Sequence, residues 1–381
     1  MRRLGGLVLT AALLIAQPGL AEPAPSPRLA EVDKAMDKLV KAKAVSGVVT
    51  MVYRGDRLIH SSALGYRDLQ SRAPMTEDTI FRAYSMTKPV TAVAMMILHD
   101  QGKWNLDDPV AKYLPELADV KVFAGQRADG SPILEAPAKP PTMRQLMTHT
   151  AGFSYGFGAG FVDDGYRAAD IWAADDADDF VRRIAALPLA YQPGSQWQYS
   201  VSVDLQGVIV ERLSGEKLGD FMRRHIFEPL GMPDTGFYVP EAKRGRFATL
   251  YGWAGDRLQE IPSPFNMTFA AEPGFASGGG GLVTTAGDYA RFARMLVGEG
   301  ELDGRQVLSA ASTREMMTTH LPPELIPKGY GIGFQGLRPG YEYGFDGVVV
   351  TDPAAAHVAV GRGTYLWDGA ARHLVLGRSR K

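Results

Sequence analysis

The chain of 381 residues contains no cysteine, which excludes disulfide frameworks, thiol nucleophiles, thiolate metal sites and lipid attachment through cysteine. Histidine is scarce: the seven residues form no His-Glu-x-x-His motif and no close pair, so we expect no metal site and no cofactor. A large excess of charge is also absent. The 41 basic and 42 acidic side chains give a formal net charge of −1, which argues against nucleic acid as a partner.

Hydrophobic residues make up 45% of the chain and charged residues 22%, a composition typical of a soluble globular protein with a large core. Segments rich in β-branched residues occupy both ends of the chain, whereas helical spacing of apolar residues dominates the middle. We therefore predict a single α/β domain over residues 22–381, of the α+β type. Its α/β part is expected at about 28–84 and 275–381, and its helical part at about 85–274.

The first 21 residues have the pattern of a secretory signal peptide. A basic start at Arg2 and Arg3 precedes an apolar run over residues 4–16, and small residues stand before a cleavage position after Ala21. The run is short for a membrane span, although an uncleaved anchor is the alternative interpretation. The pattern predicts an exported protein, periplasmic or secreted, without a stable membrane anchor after cleavage.

Local patterns predict individual elements. Residues 45–53 and 57–64 are rich in β-formers and flank a turn, which predicts a hairpin. Apolar spacing predicts helices at 29–43, 89–101, 143–148, 179–186, 202–214 and 285–297.

Two Ser-x-x-Lys tetrapeptides, at residues 85–88 and 214–217, each offer a serine nucleophile with a lysine three residues later. Residues three apart share one helix face, with Cβ atoms about 5–6 Å apart, so the ammonium group can act on the hydroxyl. Ser85 follows a β-like stretch and opens an apolar helix, whose dipole favours developing negative charge. Ser214 ends a helix at a Ser-Gly turn, a position typical of a solvated residue. The context favours Ser85.

A third serine, Ser154, lies in a Gly-x-Ser-x-Gly pattern at residues 152–156. That pattern marks a nucleophile elbow when a strand leads in and a helix leads out, whereas here a helical segment precedes it and a glycine-rich loop follows. A serine nucleophile also needs a base, and Tyr199, in a turn-rich loop before the helix predicted at 202–214, is the candidate. A tyrosine at such a position is ordinarily a packed aromatic side chain. The case for Tyr199 as the base therefore comes from its combination with Ser85 and Lys88.

Three motifs occur in order: Ser85-x-x-Lys88, the loop ending in Tyr199, and Trp367-Asp368-Gly369. They resemble the motifs of the penicillin-recognising serine hydrolases, the group of class C β-lactamases and DD-peptidases. Residues 107–110, 113–115, 148–152 and 277–282 resemble that group too, so the resemblance runs from about residue 30 to 371. It implies a β-lactamase-like fold, with an antiparallel sheet flanked by helices beside a mainly helical subdomain.

Two departures separate the chain from β-lactamases. Trp367-Asp368-Gly369 replaces the Lys-Thr-Gly motif, and Val201 replaces the asparagine of Tyr-x-Asn. Both changes remove polar groups expected to hold the amide and carboxylate of a β-lactam. A Trp-x-Gly motif resembles the family VIII carboxylesterases. The resemblance therefore implies a serine carboxylesterase for short-chain acyl esters, with room for a weak β-lactamase side activity. A class C-like β-lactamase, a DD-peptidase and a non-catalytic or truncated penicillin-binding-like protein are the alternatives.

The resemblance implies acyl transfer through an acyl-enzyme on Ser85. Lys88 supplies positive charge, and Tyr199 is the general base, as a phenolate or in a relay with Lys88. An unperturbed tyrosine titrates near about 10, so this base needs cationic help. The implied oxyanion hole consists of the N–H groups of Ser85 and Ala370. Other implied substrate-binding residues are Trp367 and Gly369, the substrate is a small-molecule ester, and the oligomeric state stays open.

Two neighbouring features are given structural roles. His149 is expected to organise its loop through hydrogen bonds and to take no part in catalysis. The glycine run at 278–281 lacks the Gly-Lys-Ser/Thr of a phosphate loop, so we expect a tight turn beside the cleft.

The C-terminus differs from that of the proteins that the rest of the sequence resembles. Two further strands and a helix are implied after the Trp-x-Gly strand, whereas the sequence continues only through residues 370–381, which are rich in arginine. We therefore expect the last strands of the sheet to be missing, or the reading frame to be shifted near Ala371. With those strands missing, the sheet edge would be exposed and the strand before Ala370 poorly held.

Overall fold

The structure, a computed structural model, describes residues 27–264, 267–325, 339–370 and 373–377. The signal peptide predicted at residues 1–21 lies outside the described residues. Within the described residues, the α-helices are α1 (Pro27–Lys41), α2 (Thr87–Asp100), α3 (Met143–Met147), α4 (Phe161–Ala168), α5 (Ala177–Ala185), α6 (Ser202–Ser214), α7 (Leu218–Met222), α8 (Glu228–Leu230), α9 (Ala286–Val297) and α10 (Ala310–Met316). None of the described helices is long and apolar enough to cross a membrane.

The strands form small antiparallel sheets. They are β1 (Gly47–Arg54), β2 (Arg57–Asp68), β3 (Ala73–Pro74), β4 (Ile80–Arg82), β5 (Val122–Gln126), β6 (Pro132–Glu135), β7 (Tyr251–Ala254), β8 (Arg257–Glu260), β9 (Val283–Thr285), β10 (Glu301–Leu302), β11 (Arg305–Gln306), β12 (Tyr341–Tyr343), β13 (Val348–Val350), β14 (Tyr365–Gly369) and β15 (His373–Gly377). One sheet has the order β1-β2-β3 and another the order β12-β13-β14-β15, while β4 pairs with β9 and the remaining strands form hairpins.

The N-terminal hairpin forms as its sequence predicts. β1 and β2 pair in register from Gly47 opposite Gly65 to Arg54 opposite Arg57, with Gly55 at a φ of +61° in the turn. That positive φ is readily available to glycine. Helix α1 packs on the hairpin, and α9 contacts both β1 and β15.

Helices α2 and α6 pack against each other at the centre of the molecule. Both are buried on nearly all sides, as expected of helices whose apolar residues do not keep to one face. Gly207 of α6 lies where a Cβ atom would come within 2.9 Å of the Leu218 side chain, so glycine allows the close approach. Because α2 follows Ser85 and α6 follows Tyr199, this packing brings the two candidate site residues towards each other.

The main predicted elements are confirmed, with one difference in the middle of the chain. α6 has the predicted bounds of 202–214, and the other predicted helices form with ends shifted by one or two residues, which is the usual uncertainty of helix ends. The hairpins β5–β6 and β7–β8 lie inside the part predicted as helical. Their strands are four or five residues long and mostly half-buried or exposed, so they lack the alternation that identifies a strand in sequence.

The C-terminal strand β15 pairs with β14, with Val375 opposite Trp367 and His373 opposite Gly369. The strand carrying the third motif is thus held by a neighbour. The expectation of a shifted frame near Ala371 falls on residues 371–372, which lie outside the described residues, as do residues 378–381.

Candidate active site

Ser85 lies in a tight turn between β4 and α2. β4 pairs with β9, and the Ala83 N–H donates to the Leu282 carbonyl at 2.8 Å, which fixes the chain just before the turn. The 3-10 turn Tyr84–Met86 leads directly into α2, and Tyr84 has a φ of +46°. A non-glycine residue in this conformation is strained, and such strain is found at functional sites whose surroundings enforce it. The turn therefore holds the Ser85 hydroxyl at the N-terminus of a buried helix.

The Tyr199 hydroxyl donates a hydrogen bond to Ser85 Oγ at 2.7 Å. The Tyr199 ring is buried, with its centroid 5.0 Å from that of His149 and 5.7 Å from that of Trp367. Burial raises the pKa of Tyr199 well above its ordinary value, and its hydrogen bond with Ser85 offsets this only in part. The phenol is thus a proton donor to Ser85 in this arrangement.

Lys88 is the second residue of α2 and is 1% exposed. Its Nζ donates to the Gly279 carbonyl at 2.7 Å and lies 4.5 Å from the Tyr199 ring centroid. Burial lowers the pKa of Lys88 to about 8, while the negative charge of Asp204 opposes the shift. Burial disfavours both the ammonium and the phenolate, so this environment favours the neutral forms of Lys88 and Tyr199.

Asp204, in the first turn of α6, is a site residue for which the sequence motifs predict no role. Its Oδ1 accepts from Ser277 Oγ at 2.5 Å and from the Gly279 N–H at 3.0 Å, and its Oδ2 accepts from the Tyr155 hydroxyl at 3.1 Å. It thereby fixes the loop whose carbonyl holds Lys88. The available sequence signal is that Asp204 is the only charged residue in the first turn of α6, because a fully buried carboxyl group requires partners.

The glycine run forms the tight turn expected of it. A Cβ atom on Gly279 would come within 2.5 Å of Asp204 Oδ2 and 2.6 Å of the Tyr155 hydroxyl, and one on Gly278 within 2.6 Å of the Val203 carbonyl. Such distances are incompatible with a side chain unless the backbone moves. The absence of side chains lets the loop approach Lys88 and Asp204 closely.

A second buried carboxyl group, Asp346, lies within electrostatic range of Lys88 and raises the pKa of Lys88 when it is ionised. It has no exposed surface, it adopts a φ of +52°, and its Oδ1 accepts from Gln206 Nε2 at 3.2 Å. Burial raises the pKa of Asp346 well above its usual range, with Lys88 opposing the shift. Sequence reasoning missed Asp346 because it follows Lys88 by more than 250 residues, and it carries no motif of its own.

The third motif lies on β14, which contacts the turn that carries Ser85. Trp367 and Gly369 are buried, and the Trp367 ring centroid is 5.6 Å from that of Tyr343. Asp368, between them, is exposed, and Ala370 follows as the first residue beyond the strand. The fold therefore brings all the residues implied by the three motifs to one region.

His149 has the loop-organising contacts expected of it. Its Nδ1 accepts from the Ser200 N–H at 3.2 Å, and its carbonyl accepts from the Gln198 N–H at 2.9 Å. Burial lowers the pKa of His149 well below its usual value, so the ring is neutral. These bonds hold the residues on either side of Tyr199.

The rival serines have structural roles. Ser154 is 1% exposed, and its hydroxyl donates to Asp163 Oδ1 at 2.6 Å and accepts from Gln198 Nε2 at 3.0 Å. The Ser214 hydroxyl donates to the Val210 carbonyl at 2.7 Å at the end of α6, where Gly215 has a φ of +75°. The preference for Ser85 over both is supported by these contacts.

Aromatic side chains form a continuous wall beside Tyr199, which we call the aromatic wall. Tyr155 has its ring centroid 5.1 Å from that of Tyr199 and stacks on Phe157 at 4.9 Å. The wall continues through Trp172 to Phe180, which stacks on Phe275 at 4.2 Å. The described residues contain no cluster of three or more metal-ligating side chains.

The comparison with known proteins agrees with this geometry. The Beta-lactamase family profile matches residues 32–376. The chain belongs to the β-lactamase family. Protein Rv1367c of Mycobacterium tuberculosis is similar to it, with 39% identity over 86% of this chain and 82% of that protein. Esterase EstB of Burkholderia gladioli is similar as well, with 34% identity over 90% of this chain and 86% of that protein.

Among solved structures, EstCE1, described as a hydrolase with promiscuous acyltransferase activity, superposes on this β-lactamase-family chain with a TM-score of 0.76. The superposition covers 91% of this chain and 90% of EstCE1, at 26% identity. Family and fold together support that the chain is a serine hydrolase of the β-lactamase fold and that it is similar to known esterases. The antiparallel sheets and flanking helices are those of that fold.

Proposed function

We propose that the chain is a serine carboxylesterase that hydrolyses short-chain acyl esters through an acyl-enzyme on Ser85. The observation that carries the proposal is the 2.7 Å hydrogen bond from the Tyr199 hydroxyl to Ser85 Oγ, at the start of a buried helix and beside the buried amine of Lys88. A nucleophile within hydrogen-bond reach of its base, with a third group acting on that base, is the arrangement that covalent catalysis requires. The similarity of the chain to Esterase EstB also favours ester substrates.

In the proposed mechanism, Ser85 Oγ attacks the ester carbonyl carbon as its proton passes to the Tyr199–Lys88 pair. The carbonyl oxygen becomes an oxyanion, which the N–H groups of Ser85 and Ala370 stabilise. Collapse of this intermediate breaks the bond to the alcohol oxygen, which takes its proton back from Tyr199. Water then attacks the acyl group on Ser85 by the same route, which releases the acid and restores the hydroxyl. Removal of one oxyanion donor typically costs about 10²–10³ in rate.

The pH dependence follows from the protonation of the Tyr199–Lys88 pair. Because burial lowers the pKa of Lys88 to about 8 and raises that of Tyr199, a free proton acceptor exists in the pair once Lys88 loses its proton. We expect kcat/KM for a neutral ester to rise with pH and to level off above an apparent pKa near about 8, which belongs to the pair. A profile from pH 6 to 10 on p-nitrophenyl butyrate measures it. A fall in kcat/KM above pH 8 would instead favour a Tyr199 phenolate that depends on the Lys88 ammonium.

Purified residues 22–381 provide the direct test of function, with p-nitrophenyl esters of increasing chain length. The resemblance of Trp367-Asp368-Gly369 to the Trp-x-Gly motif of family VIII carboxylesterases favours short acyl groups, so we expect kcat/KM to be highest for butyrate or shorter acyl groups and to fall at longer ones. The lack of any turnover by soluble, folded protein would refute the esterase proposal. Hydrolysis of nitrocefin or of a D-Ala-D-Ala peptide at a rate above that of the esters would favour the β-lactamase or DD-peptidase alternatives.

Export is part of the proposal, and it is supported by the basic and apolar pattern of residues 1–21. Expression of the full chain in a Gram-negative host should yield a periplasmic protein that begins at Glu22, as N-terminal sequencing of the purified protein would reveal. Recovery in the membrane fraction with Met1 retained would instead favour the uncleaved anchor.

A further inference from the structure

A cavity of about 350 Å³ lies outside the candidate active site, lined by α7 and by parts of the segments 233–240 and 272–276. None of the three residues proposed to carry catalysis belongs to its described lining. Phe237 forms part of its wall and also packs against the glycine run, where a Cβ atom on Gly281 would come within 2.9 Å of Phe237 Cδ1. Small-molecule sites typically have volumes of about 300–1,000 Å³, so this cavity suits a small ligand.

Backbone contacts hold the wall of the cavity in place. Gly236 donates its N–H to the Val283 carbonyl at 3.1 Å and accepts from the Val283 N–H at 2.7 Å. The Phe237 ring lies close to a second glycine as well, since a Cβ atom on Gly219 of α7 would come within 3.3 Å of Phe237 Cδ2. The cavity is therefore pre-formed, and little ordering of the protein opposes the binding of a ligand.

The wall has an apolar part and a charged part. The charged part includes exposed side chains on α7 and on the segments next to it. The apolar part consists of side chains that are each at most 5% exposed: Ile80, Phe227, Phe237, Val239 and Val283. A ligand in the cavity therefore meets apolar contacts on one side and charged groups towards the solvent.

Two charged side chains of the wall, Lys217 and Glu272, have no hydrogen bond or ion pair within the described part of the chain. Lys217 belongs to the second Ser-x-x-Lys pattern, which the proposed esterase site does not use. The other charged groups of the wall have partners in salt bridges or backbone hydrogen bonds: Arg223 with Asp220 and Glu228, Lys243 with Asp234, and Glu211 with the Leu218 N–H. One cationic and one anionic group are thus available to a ligand.

We propose that this cavity is a second binding site, which takes a small zwitterion with an apolar side chain, the chemistry of an apolar amino acid. The carboxylate of the ligand pairs with the Lys217 ammonium, and its ammonium pairs with the Glu272 carboxylate. Its side chain contacts the apolar part of the wall. A ligand with a single charge leaves one of the two protein groups unpaired, and each charge-assisted hydrogen bond that is lost weakens binding by about tenfold.

The test uses three probes that share a phenylalkyl skeleton and differ in charge. L-phenylalanine carries both charges, 3-phenylpropionate lacks the ammonium, and 2-phenylethylamine lacks the carboxylate. Isothermal titration calorimetry on purified residues 22–381 at about pH 6.5, where both groups of phenylalanine are charged, measures the Kd of each. We expect L-phenylalanine to bind with a Kd of about 1 mM or below and the other two probes to bind about tenfold more weakly.

Variants of the two free charges identify which end of the ligand each group binds. Lys217→Gln should weaken the binding of L-phenylalanine about tenfold and leave that of 2-phenylethylamine unchanged. Glu272→Gln should weaken the binding of L-phenylalanine by a similar factor and leave that of 3-phenylpropionate unchanged. Both side chains are exposed, so we expect both variants to fold.

Two glycine variants test whether the ligand lies in the cavity. Gly236 lines the cavity, and a Cβ atom there has the Tyr238 carbonyl as its nearest described contact, at 4.0 Å, so Gly236→Leu has room for a side chain that fills the cavity. Gly245 is the matched control, because a Cβ atom there meets no described atom within 4 Å and the residue is not part of the lining. We expect Gly236→Leu to abolish the binding of L-phenylalanine and Gly245→Leu to retain it.

The absence of L-phenylalanine binding to folded wild-type protein would overturn the inference. Equal Kd values for L-phenylalanine and either singly charged probe would do the same, because one of the two charges would then be unused. An unchanged Kd in Gly236→Leu would mean that the ligand binds elsewhere, and if that variant does not fold, the two charge variants decide. None of the probes is an ester, so each of these failures leaves the esterase proposal intact.

Discussion

Ser85→Ala is expected to lower ester turnover by about 10⁴-fold or more while the chain keeps its fold. The substitution removes the oxygen that attacks the ester, so no acyl-enzyme forms. The Ser85 side chain accepts a hydrogen bond from Tyr199, but the turn around it is fixed by backbone bonds such as that from Ala83 to Leu282. Steady-state kinetics with p-nitrophenyl butyrate and thermal unfolding by circular dichroism measure the two effects.

The rival serines supply matched controls for this variant. Ser214→Ala alters the other Ser-x-x-Lys pattern, and Ser154→Ala alters the Gly-x-Ser-x-Gly pattern. Ser154→Ala leaves Asp163 and Gln198 without their shared partner, so we expect a loss of about 1–3 kcal/mol in stability with turnover retained. Full activity in Ser85→Ala, or loss of all activity in a folded Ser154→Ala protein, would contradict the assignment of the nucleophile.

Much of this site can be predicted from the sequence because its residues lie in short segments with clear local structure. Ser85 lies in the turn that leads into α2, and Lys88 follows it three residues later as the second residue of that helix. Tyr199 precedes α6, whose ends match the prediction of 202–214. The packing of α2 on α6 then brings the residues of these two local patterns together in one site. Ser85 is the preferred candidate nucleophile because the other two serines stand in the wrong local context and the three motifs resemble those of a known family.

The rest of the site depends on contacts between segments far apart in the chain. Asp346 and Asp204 act on Lys88 only because folding buries all three together, and no local pattern encodes that burial. For the same reason, the protonation state of the Tyr199–Lys88 pair could not be predicted from the sequence. The resemblance implies cationic help from Lys88, and burial weakens that help because it lowers the pKa of Lys88 to about 8.

Tyr199→Phe is expected to lower kcat/KM for p-nitrophenyl butyrate by about 10²–10⁴-fold, the range typical of a lost general base. The change removes only the hydroxyl that donates to Ser85, while the ring keeps its contacts with His149 and Trp367. Lys88 cannot fully replace the hydroxyl, because its Nζ is directed to the Gly279 carbonyl at 2.7 Å. The proton of Ser85 is then left without its nearest acceptor.

Tyr155→Phe separates proton transfer from packing, since Tyr155 also lies beside Lys88, with Nζ 5.2 Å from its ring centroid. Its hydroxyl donates to Asp204, which keeps two further donors, Ser277 and Gly279, after the change. We therefore expect a loss of less than about tenfold, typical of a supporting hydrogen bond. Equal losses in the two variants would mean that the buried hydroxyls maintain the site's shape and that Tyr199 is not the base. A large loss confined to Tyr199→Phe, with no pre-steady-state burst of p-nitrophenol, would place the defect in the acylation of Ser85.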